Sequence, residues 1–137
     1  MRLSVSVGGT LTVSKIQKQV SDKMRKALAV AGTKALSMIK RRTNKGDGLN
    51  GKFKPYSKGY QAYKVDKGKN PFTVNLRDGG DMMKNMTARI QGDTALIYFT
   101  TAESNKKAYF NDKIRPFFDL NEEEQKTISN IFTRYLK

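Results

Sequence analysis

The sequence contains neither cysteine nor histidine. Without cysteine the chain forms no disulfide and offers no thiolate metal ligand or thiol nucleophile. Without histidine it lacks the commonest general base and the commonest metal ligand. A Ser-His-Asp or Cys-His catalytic arrangement cannot be built from this chain. We therefore expect a protein that is not an enzyme and that has no cofactor and no metal site.

Acidic residues are also scarce, at 12 against 27 lysines and arginines, which gives a net charge of +15. A two-metal carboxylate site, as a nuclease would need, requires clustered acids, and Glu122–Glu124 form the one cluster in the sequence. We expect these three residues in the first turn of a helix, where acids complement the helix dipole. The positive charge predicts attraction to a polyanion: nucleic acid, an anionic membrane surface or an acidic protein surface.

Long apolar runs are absent as well. No stretch of about 18 apolar residues is present, so we predict no transmembrane helix. The N-terminal residues, MRLSVSVGGTLTV, alternate apolar residues with serine and threonine and so lack the apolar segment of a signal peptide. We expect no membrane association. The protein is expected to be made in the cytoplasm and to stay there, or to enter a particle assembled there.

The hydrophobic pattern predicts a single α+β domain over residues 1–137. Residues 2–13 alternate as a β-hairpin around two glycines. An apolar stripe from Ile16 to Ile39 predicts a long helix, in which Gly32 indicates a kink or a close contact. A second hairpin with a central second strand follows, then a short helix near 102–112, and Asn121 begins the last helix. The architecture is a small antiparallel sheet of two hairpins packed against the long N-terminal helix and the C-terminal helix.

The predicted core draws on the long helix, the second hairpin and the last helix. Its residues recur at three- and four-residue steps in the helices and at alternate positions in the strands. They are Ile16, Val20, Met24, Leu28, Ala31, Ile39, Ile90, Ile97, Phe99, Ile128, Ile131 and Phe132.

Periodicity is lost over residues 44–72, which we expect to form a long, basic, extended loop or arm. Loops of this length inside compact domains are uncommon and are usually functional or disordered. Disordered segments contain few aromatic residues, whereas this one includes Phe53, Tyr56, Tyr60 and Tyr63. The rings indicate a segment that docks on a neighbouring subunit or on its own domain. If residues 57–64 are helical, the three tyrosines share one face.

Three motifs carry a resemblance to a known family. The first is DGLNGKFKPYSKGY, with Asp47, Gly51, Phe53, Tyr56, Ser57 and Tyr60 as its matching residues. The second, NLRDGGDMM, supplies Leu76, Gly80, Asp81 and Met82, and the third, IRPFFDL, supplies Arg115, Phe117, Phe118 and Leu120. In this order they resemble the virion-morphogenesis and tail-completion proteins of tailed bacteriophages, over roughly residues 14–137. Residues 106–118, KKAYFNDKIRPFF, depart from the family pattern by having neither histidine nor glycine.

The resemblance implies a structural protein of the head–tail junction or the top of the tail. Proteins of this kind form rings that join the connector to the tail and line part of the DNA channel. The implied partners are other copies of the chain in a homo-oligomeric ring, as a hexamer or a dodecamer, and the neighbouring neck, connector or tail-tube proteins. Genomic DNA would pass through without sequence-specific contact. The implied location is the virion, and the host cytoplasm during assembly.

Two groups of residues are predicted to serve this assembly. The subunit-interface group contains Phe53, Tyr56, Tyr60, Tyr63, Arg115, Phe117 and Phe118. The group predicted to contact a polyanion or an acidic partner contains Lys40, Arg41, Arg42, Lys45, Lys52 and Lys54. We expect Arg115 to pair with Asp112 or Asp119 and to form, with the two phenylalanines, a corner that positions the last helix. The alternative for Arg115 is an ordinary exposed arginine beside two core rings.

A small basic nucleic-acid-binding protein is the alternative function. Basic residues interleaved with aromatic ones suit single-stranded nucleic acid. No helix-turn-helix, zinc-finger or RNP-like motif is present, however. The basic residues also lack the interspersed amides and hydroxyls with which proteins read base edges. We therefore expect the positive charge to serve assembly more than sequence recognition.

Overall fold

The computed structural model describes residues 3–6, 14–76 and 80–137, with side chains described from residue 22 onward. Within these ranges the chain forms five helices and five strands. The helices are α1 (Ser14–Asn44), α2 (Lys58–Asp66), α3 (Asp81–Lys84), α4 (Ala102–Ile114) and α5 (Glu122–Leu136). The strands are β1 (Leu3–Ser6), β2 (Asp47–Gly48), β3 (Gly51–Lys52), β4 (Met86–Gln91) and β5 (Thr94–Phe99). The predicted α+β class is confirmed.

Among the described residues, the main sheet has three antiparallel strands in the order β1-β5-β4. Strands β4 and β5 form the predicted second hairpin, in which Met86 lies opposite Phe99 and Gln91 opposite Thr94. Strand β5 is central, as its apolar sequence predicted, because β1 pairs along its other edge. Of the predicted first hairpin only Leu3–Ser6 is described, and its second strand lies outside the described residues. A separate two-stranded ribbon joins β2 to β3.

Helix α1 packs across the sheet and against α5. Small residues on its inner face bring it close to the strands. A Cβ added at Gly32 would lie 3.2 Å from the Cβ of Ala95 and 3.9 Å from that of Ala88. The helix continues unbroken through Gly32, so this glycine marks a close helix–sheet contact, one of its two predicted roles.

Half of the predicted core residues are buried: Leu28, Ala31, Ile39, Ile97, Phe99 and Ile128. Met24, Ile90, Ile131 and Phe132 are only half-buried, and the side chains of Ile16 and Val20 lie outside the described ones. Phe132 packs on the edge of the core. The core also contains residues that helix and strand periodicity did not predict, because they come from connecting segments or from the single-turn helix α3: Phe53, Tyr56, Val74, Leu76, Met82, Met83, Phe117, Phe118 and Leu120.

The segment 44–72 is folded against the domain over much of its length and is not an extended arm. It contains the β2–β3 ribbon and helix α2. The hydroxyl of Ser57 caps α2 by accepting the N–H of Tyr60 at 3.2 Å. Phe53 and Tyr56 are both only 9% exposed. The two rings give the segment enough apolar surface to pack on its own domain.

The last two helices have N-caps that are visible in the sequence. Thr101 accepts the N–H of Ser104 at 3.1 Å to begin α4. Asn121 and Glu124 form a reciprocal capping box at the start of α5. Asn121 therefore begins this helix, as predicted. Among the helices of the described residues, none is both long enough and apolar enough to cross a membrane.

Candidate functional site

The first and third motifs meet at Arg115, in the corner between α4 and α5. The Nε atom of Arg115 donates to the carbonyl oxygen of Lys54 at 3.0 Å, and Nη2 donates to that of Pro55 at 3.1 Å. The guanidinium carbon lies 4.9 Å from the centre of the Tyr56 ring. Arg115 therefore fixes the backbone that leads into α2, through two hydrogen bonds and a cation–π contact.

Gly48 lies at a second contact between these motifs. A Cβ at this position would come within 2.7 Å of both the Phe53 ring and the Pro116 carbonyl oxygen. The next residue, Leu49, donates its N–H to the same carbonyl oxygen at 3.0 Å. The β2–β3 ribbon thus abuts the Pro116 backbone so closely that only glycine fits without movement.

The predicted ion pair of Arg115 with Asp112 or Asp119 is wrong. Asp112 Oδ1 accepts the N–H groups of Phe117 and Phe118, both at 3.0 Å. Asp119 Oδ1 accepts the N–H of Leu120 at 2.8 Å. Both acids are turned toward nearby backbone donors, and Arg115 bonds to carbonyl oxygens instead. Arg115 holds the 54–56 segment, and its predicted role in positioning the last helix stays a prediction.

Arg42 holds the start of α5. Its Nη1 pairs with Glu124 Oε1, while Nη2 donates to the carbonyl oxygens of Phe117 at 2.5 Å and Asp119 at 2.9 Å. The side chains of Arg42 and Glu124 are 9% and 14% exposed. The predicted polyanion contact at Arg42 is therefore wrong, because both terminal nitrogens of its guanidinium bond to partners inside the domain and its Nε atom is buried.

The other basic residues of that predicted group differ from Arg42 in exposure. Arg41, Lys45, Lys52 and Lys54 are exposed at the end of α1 and along the segment that follows it. Lys40 is half-buried. Four of the six predicted residues are thus accessible to an anionic partner.

Most of the predicted interface group is buried within its own chain. Phe117 is 0% exposed and Phe118 6%, and both belong to the core with Phe53 and Tyr56. A buried ring presents no surface to a neighbouring subunit, so these four assignments are corrected to core positions. Arg115 and Tyr60 are half-buried. Tyr63, at 41% exposed, is the most accessible ring of the group.

Tyr60 and Tyr63 lie on one side of α2, and Tyr56, which precedes the helix, lies on the same side, as their spacing predicted. The centres of the Tyr56 and Tyr60 rings are 4.7 Å apart, and those of Tyr60 and Tyr63 are 5.6 Å apart. The Nζ atom of Lys64 lies 4.7 Å from the centre of the Tyr56 ring, and this lysine is only 3% exposed. Sequence reasoning missed the buried lysine, although its position one turn beyond Tyr60 was a usable signal.

A cleft of about 540 Å³ lies between these tyrosines and α4. Tyr56, Leu76 and Met82 line it from the core side, and Ile114 and Arg115 line it from α4 and the corner. Leu76 has a φ of +58°, a left-handed conformation that is rare for leucine. Its N–H donates to the Tyr56 hydroxyl at 3.1 Å. The sequence offered Leu76 and Met82 as motif residues but did not indicate a cleft.

Several large apolar side chains are exposed on the described surface. Helix α4 contributes three of them: Tyr109 at 47%, Phe110 at 54% and Ile114 at 60%. Tyr63, Val65, Phe72 and Tyr135 are the others. The apolar residues of α4 were not among the predicted site residues, because the helix lacks an amphipathic stripe that would have distinguished its outer face.

Glu122–Glu124 occupy the first turn of α5, where Glu124 completes the capping box. Among the described residues, no three acidic side chains converge to hold a metal ion. Comparison of the chain with protein-family models, with curated proteins and with solved structures finds no match. The functional interpretation therefore depends on the contacts described above and on the motif resemblance.

Proposed function

We propose that the protein is a structural component of a tailed-bacteriophage particle. It would form a homo-oligomeric ring at the head–tail junction or the top of the tail and join the connector to the tail. The observation that supports this proposal is the convergence of the three resemblance motifs on one residue. Tyr56, from the first motif, accepts the N–H of Leu76 from the second and packs against Arg115 from the third.

This convergence matters because each motif by itself is short. Residues scattered over more than half of the chain serve one structural unit, in which every motif contacts another. The same contacts hold the 53–56 segment on its own chain.

The surface available for ring formation is the exposed apolar one, not the buried aromatic group. Single exposed apolar residues are ordinary on protein surfaces. Neighbouring ones more often mark an interaction site, and α4 presents Tyr109 and Phe110 with their ring centres 5.7 Å apart. Tyr63 is the member of the originally predicted group that retains a role in subunit contact.

The exposed cations Arg41, Lys45, Lys52 and Lys54 would face the channel or an acidic neighbouring ring. Contacts with DNA phosphates depend on charge and not on base sequence. Such contacts suit a wall along which the genome passes.

The test is complementation of particles that lack this protein. Purified protein is added to separately prepared heads and tails, and the joined particles are counted by electron microscopy and by infectivity. We expect joining to depend on the added protein and to fail with a variant carrying Tyr109→Asp and Phe110→Asp. A protein that leaves heads and tails unjoined at every concentration would contradict the proposal.

A nucleic-acid-binding protein is the second candidate, favoured by one observation: the Nζ atom of the exposed Lys67 lies 5.9 Å from the centre of the exposed Tyr63 ring. Size-exclusion chromatography with and without single-stranded DNA, across a salt series, distinguishes the two. A structural ring component elutes at the same volume with and without DNA at physiological salt. A DNA-binding protein shifts, and its affinity falls steeply as salt rises.

A further inference from the structure

The cleft between the tyrosines and α4 has the size and lining of a binding site. Its volume of about 540 Å³ lies in the range of sites that enclose small ligands. On the core side, Tyr56, Leu76 and Met82 are each less than 10% exposed and offer an apolar wall. On the opposite side, Ile114 is 60% exposed. A single large apolar side chain from outside would fit between these walls.

The polar lining of the cleft is cationic. Lys107 and Arg115 line it together with Ser57 and Asn111, and no acidic residue is among its described lining residues. The acids nearest Arg115 in sequence accept backbone N–H groups, as described above. Lys107 pairs with Glu103 at 3.2 Å, but both side chains are more than half exposed, so the pair is weak. The described lining of the cleft is therefore positively charged and complementary to carboxylates.

The apolar surface continues beyond the cleft along α4. Phe110 and Ile114 are one turn apart and are 54% and 60% exposed. Large apolar residues beside a concave site are typical of protein-interaction surfaces. The left-handed Leu76 lies in the same lining, and backbone outliers of this kind are enriched at ligand sites.

We infer that this cleft binds an acidic peptide segment of another protein. The segment inserts one aromatic or aliphatic side chain between Met82 and Ile114, and its flanking carboxylates lie near Lys107 and Arg115. A second copy of the chain is a poorer occupant of this cleft, because with 12 acidic residues against 27 basic ones it offers few carboxylates to lie beside Lys107 and Arg115. The inference is independent of the proposed phage function, since the cleft and its charge are properties of the isolated domain.

The experiment measures fluorescence anisotropy with three labelled peptides and the full chain. The first peptide has a leucine–tryptophan centre with two glutamates on each side. The second replaces the centre with alanines, and the third replaces the glutamates with lysines. We expect the first peptide to bind at least about tenfold more tightly than either of the others. A difference of this size is what the loss of one buried apolar contact, or of the favourable charge interactions, would produce.

Variants assign the binding to the cleft. Ile114→Asp and Lys107→Glu change exposed side chains and should each weaken binding of the first peptide by about tenfold. Phe72→Asp and Lys126→Glu make the same chemical changes at exposed positions outside the cleft lining, and they should leave binding unchanged. In the unaltered protein, a benzophenone in place of the tryptophan should cross-link to Tyr60, Met82 or Ile114.

Three results would overturn the inference. Equal binding of the alanine-centred peptide would show simple charge attraction. If the cleft variants and their controls lose the same affinity for the first peptide, the peptide binds outside the cleft. Cross-links to residues elsewhere would show the same. Displacement of the peptide by single-stranded DNA, together with DNA cross-links in the cleft, would assign the site to nucleic acid.

Discussion

Arg42 and Glu124, which are 82 residues apart in sequence, form an ion pair that joins the last turn of α1 to the first turn of α5. The same Glu124 oxygen accepts the N–H of Asn121 at 3.0 Å and so completes the capping box. One carboxylate thus serves both the local start of α5 and its docking on α1. The pair explains why a basic residue at the end of α1 is not available to an external anion.

Replacing Arg42 with alanine should strongly destabilise the protein. The change removes the ion pair and leaves Glu124 largely buried without its cation, a loss that typically costs roughly 3–5 kcal/mol. The free energy of unfolding is measured by urea denaturation. The neighbouring exposed residue provides the control, and Arg41→Ala should change stability by less than about 0.5 kcal/mol. Similar losses in the two variants would show that Arg42 does not hold α5.

Truncating Leu28 to alanine should cost about 2–5 kcal/mol of unfolding free energy, because this side chain is 1% exposed in the core. Phe132→Ala should lower the unfolding free energy by less than truncation of a fully buried phenylalanine would, since the Phe132 ring lies at the edge of the core. Thermal and urea unfolding give both values. Phe72, which is 80% exposed, is the matched control, and an equally large loss in Phe72→Ala would contradict the assigned burial.

Replacing Arg115 with alanine should lower stability by about 1–3 kcal/mol, because the carbonyl oxygens of Lys54 and Pro55 lose a charged donor. Arg115→Lys should restore only part of the loss, since a lysine cannot reproduce the two directed bonds of the guanidinium. Hydrogen exchange should show faster opening at Phe53 and Tyr56 in the alanine variant. Lys106→Ala, an exposed change on α4, is the control. If amide hydrogen exchange at residues 53–56 is unchanged in the Arg115→Ala variant, Arg115 is an ordinary surface arginine.

If the protein joins heads to tails as proposed, neutralising the exposed cations should weaken that joining while the protein still folds. The variant carries glutamine at Arg41, Lys45, Lys52 and Lys54, and its deficit should shrink as salt rises, because exposed charges are screened over about 8–10 Å. The control removes the same charge elsewhere, at exposed Lys23, Lys26, Lys34 and Lys126. Complementation of heads and tails is the measurement. If the first variant joins heads to tails as well as the unaltered protein, or if both variants lose the same joining activity, these cations serve only general solubility.

Hydrogen exchange also tests the placement of the 44–72 segment. Because Phe53 and Tyr56 are packed in the core of their own chain, amides of residues 53–56 and of α2 should be protected in the isolated protein. Protection at Tyr63 should increase on assembly, because this ring remains exposed. A segment that becomes protected at residues 53–56 only in the assembled particle would contradict the described packing.

The sequence by itself determined the elements whose signals are local. The length of α1 follows from its apolar stripe, the β4–β5 hairpin from its alternation around Gly92, and the start of α5 from Asn121 and Glu124. Each depends on residues a few positions apart, whose spacing reports directly on helix or strand geometry. The α+β class followed from adding these elements together.

Only the tertiary structure decided what the polar and aromatic residues do. Arg42 and Arg115 reach partners 75 and 61 residues away, and those partners include backbone carbonyl oxygens, which no side-chain pattern reveals. Phe53 and Tyr56 had no periodicity of their own, so their burial depended on surfaces built by α4 and the corner after it. The cleft likewise exists only where Leu76, Met82 and Ile114 are brought together. Local propensity determines elements, whereas long-range packing determines which side chains remain available for function.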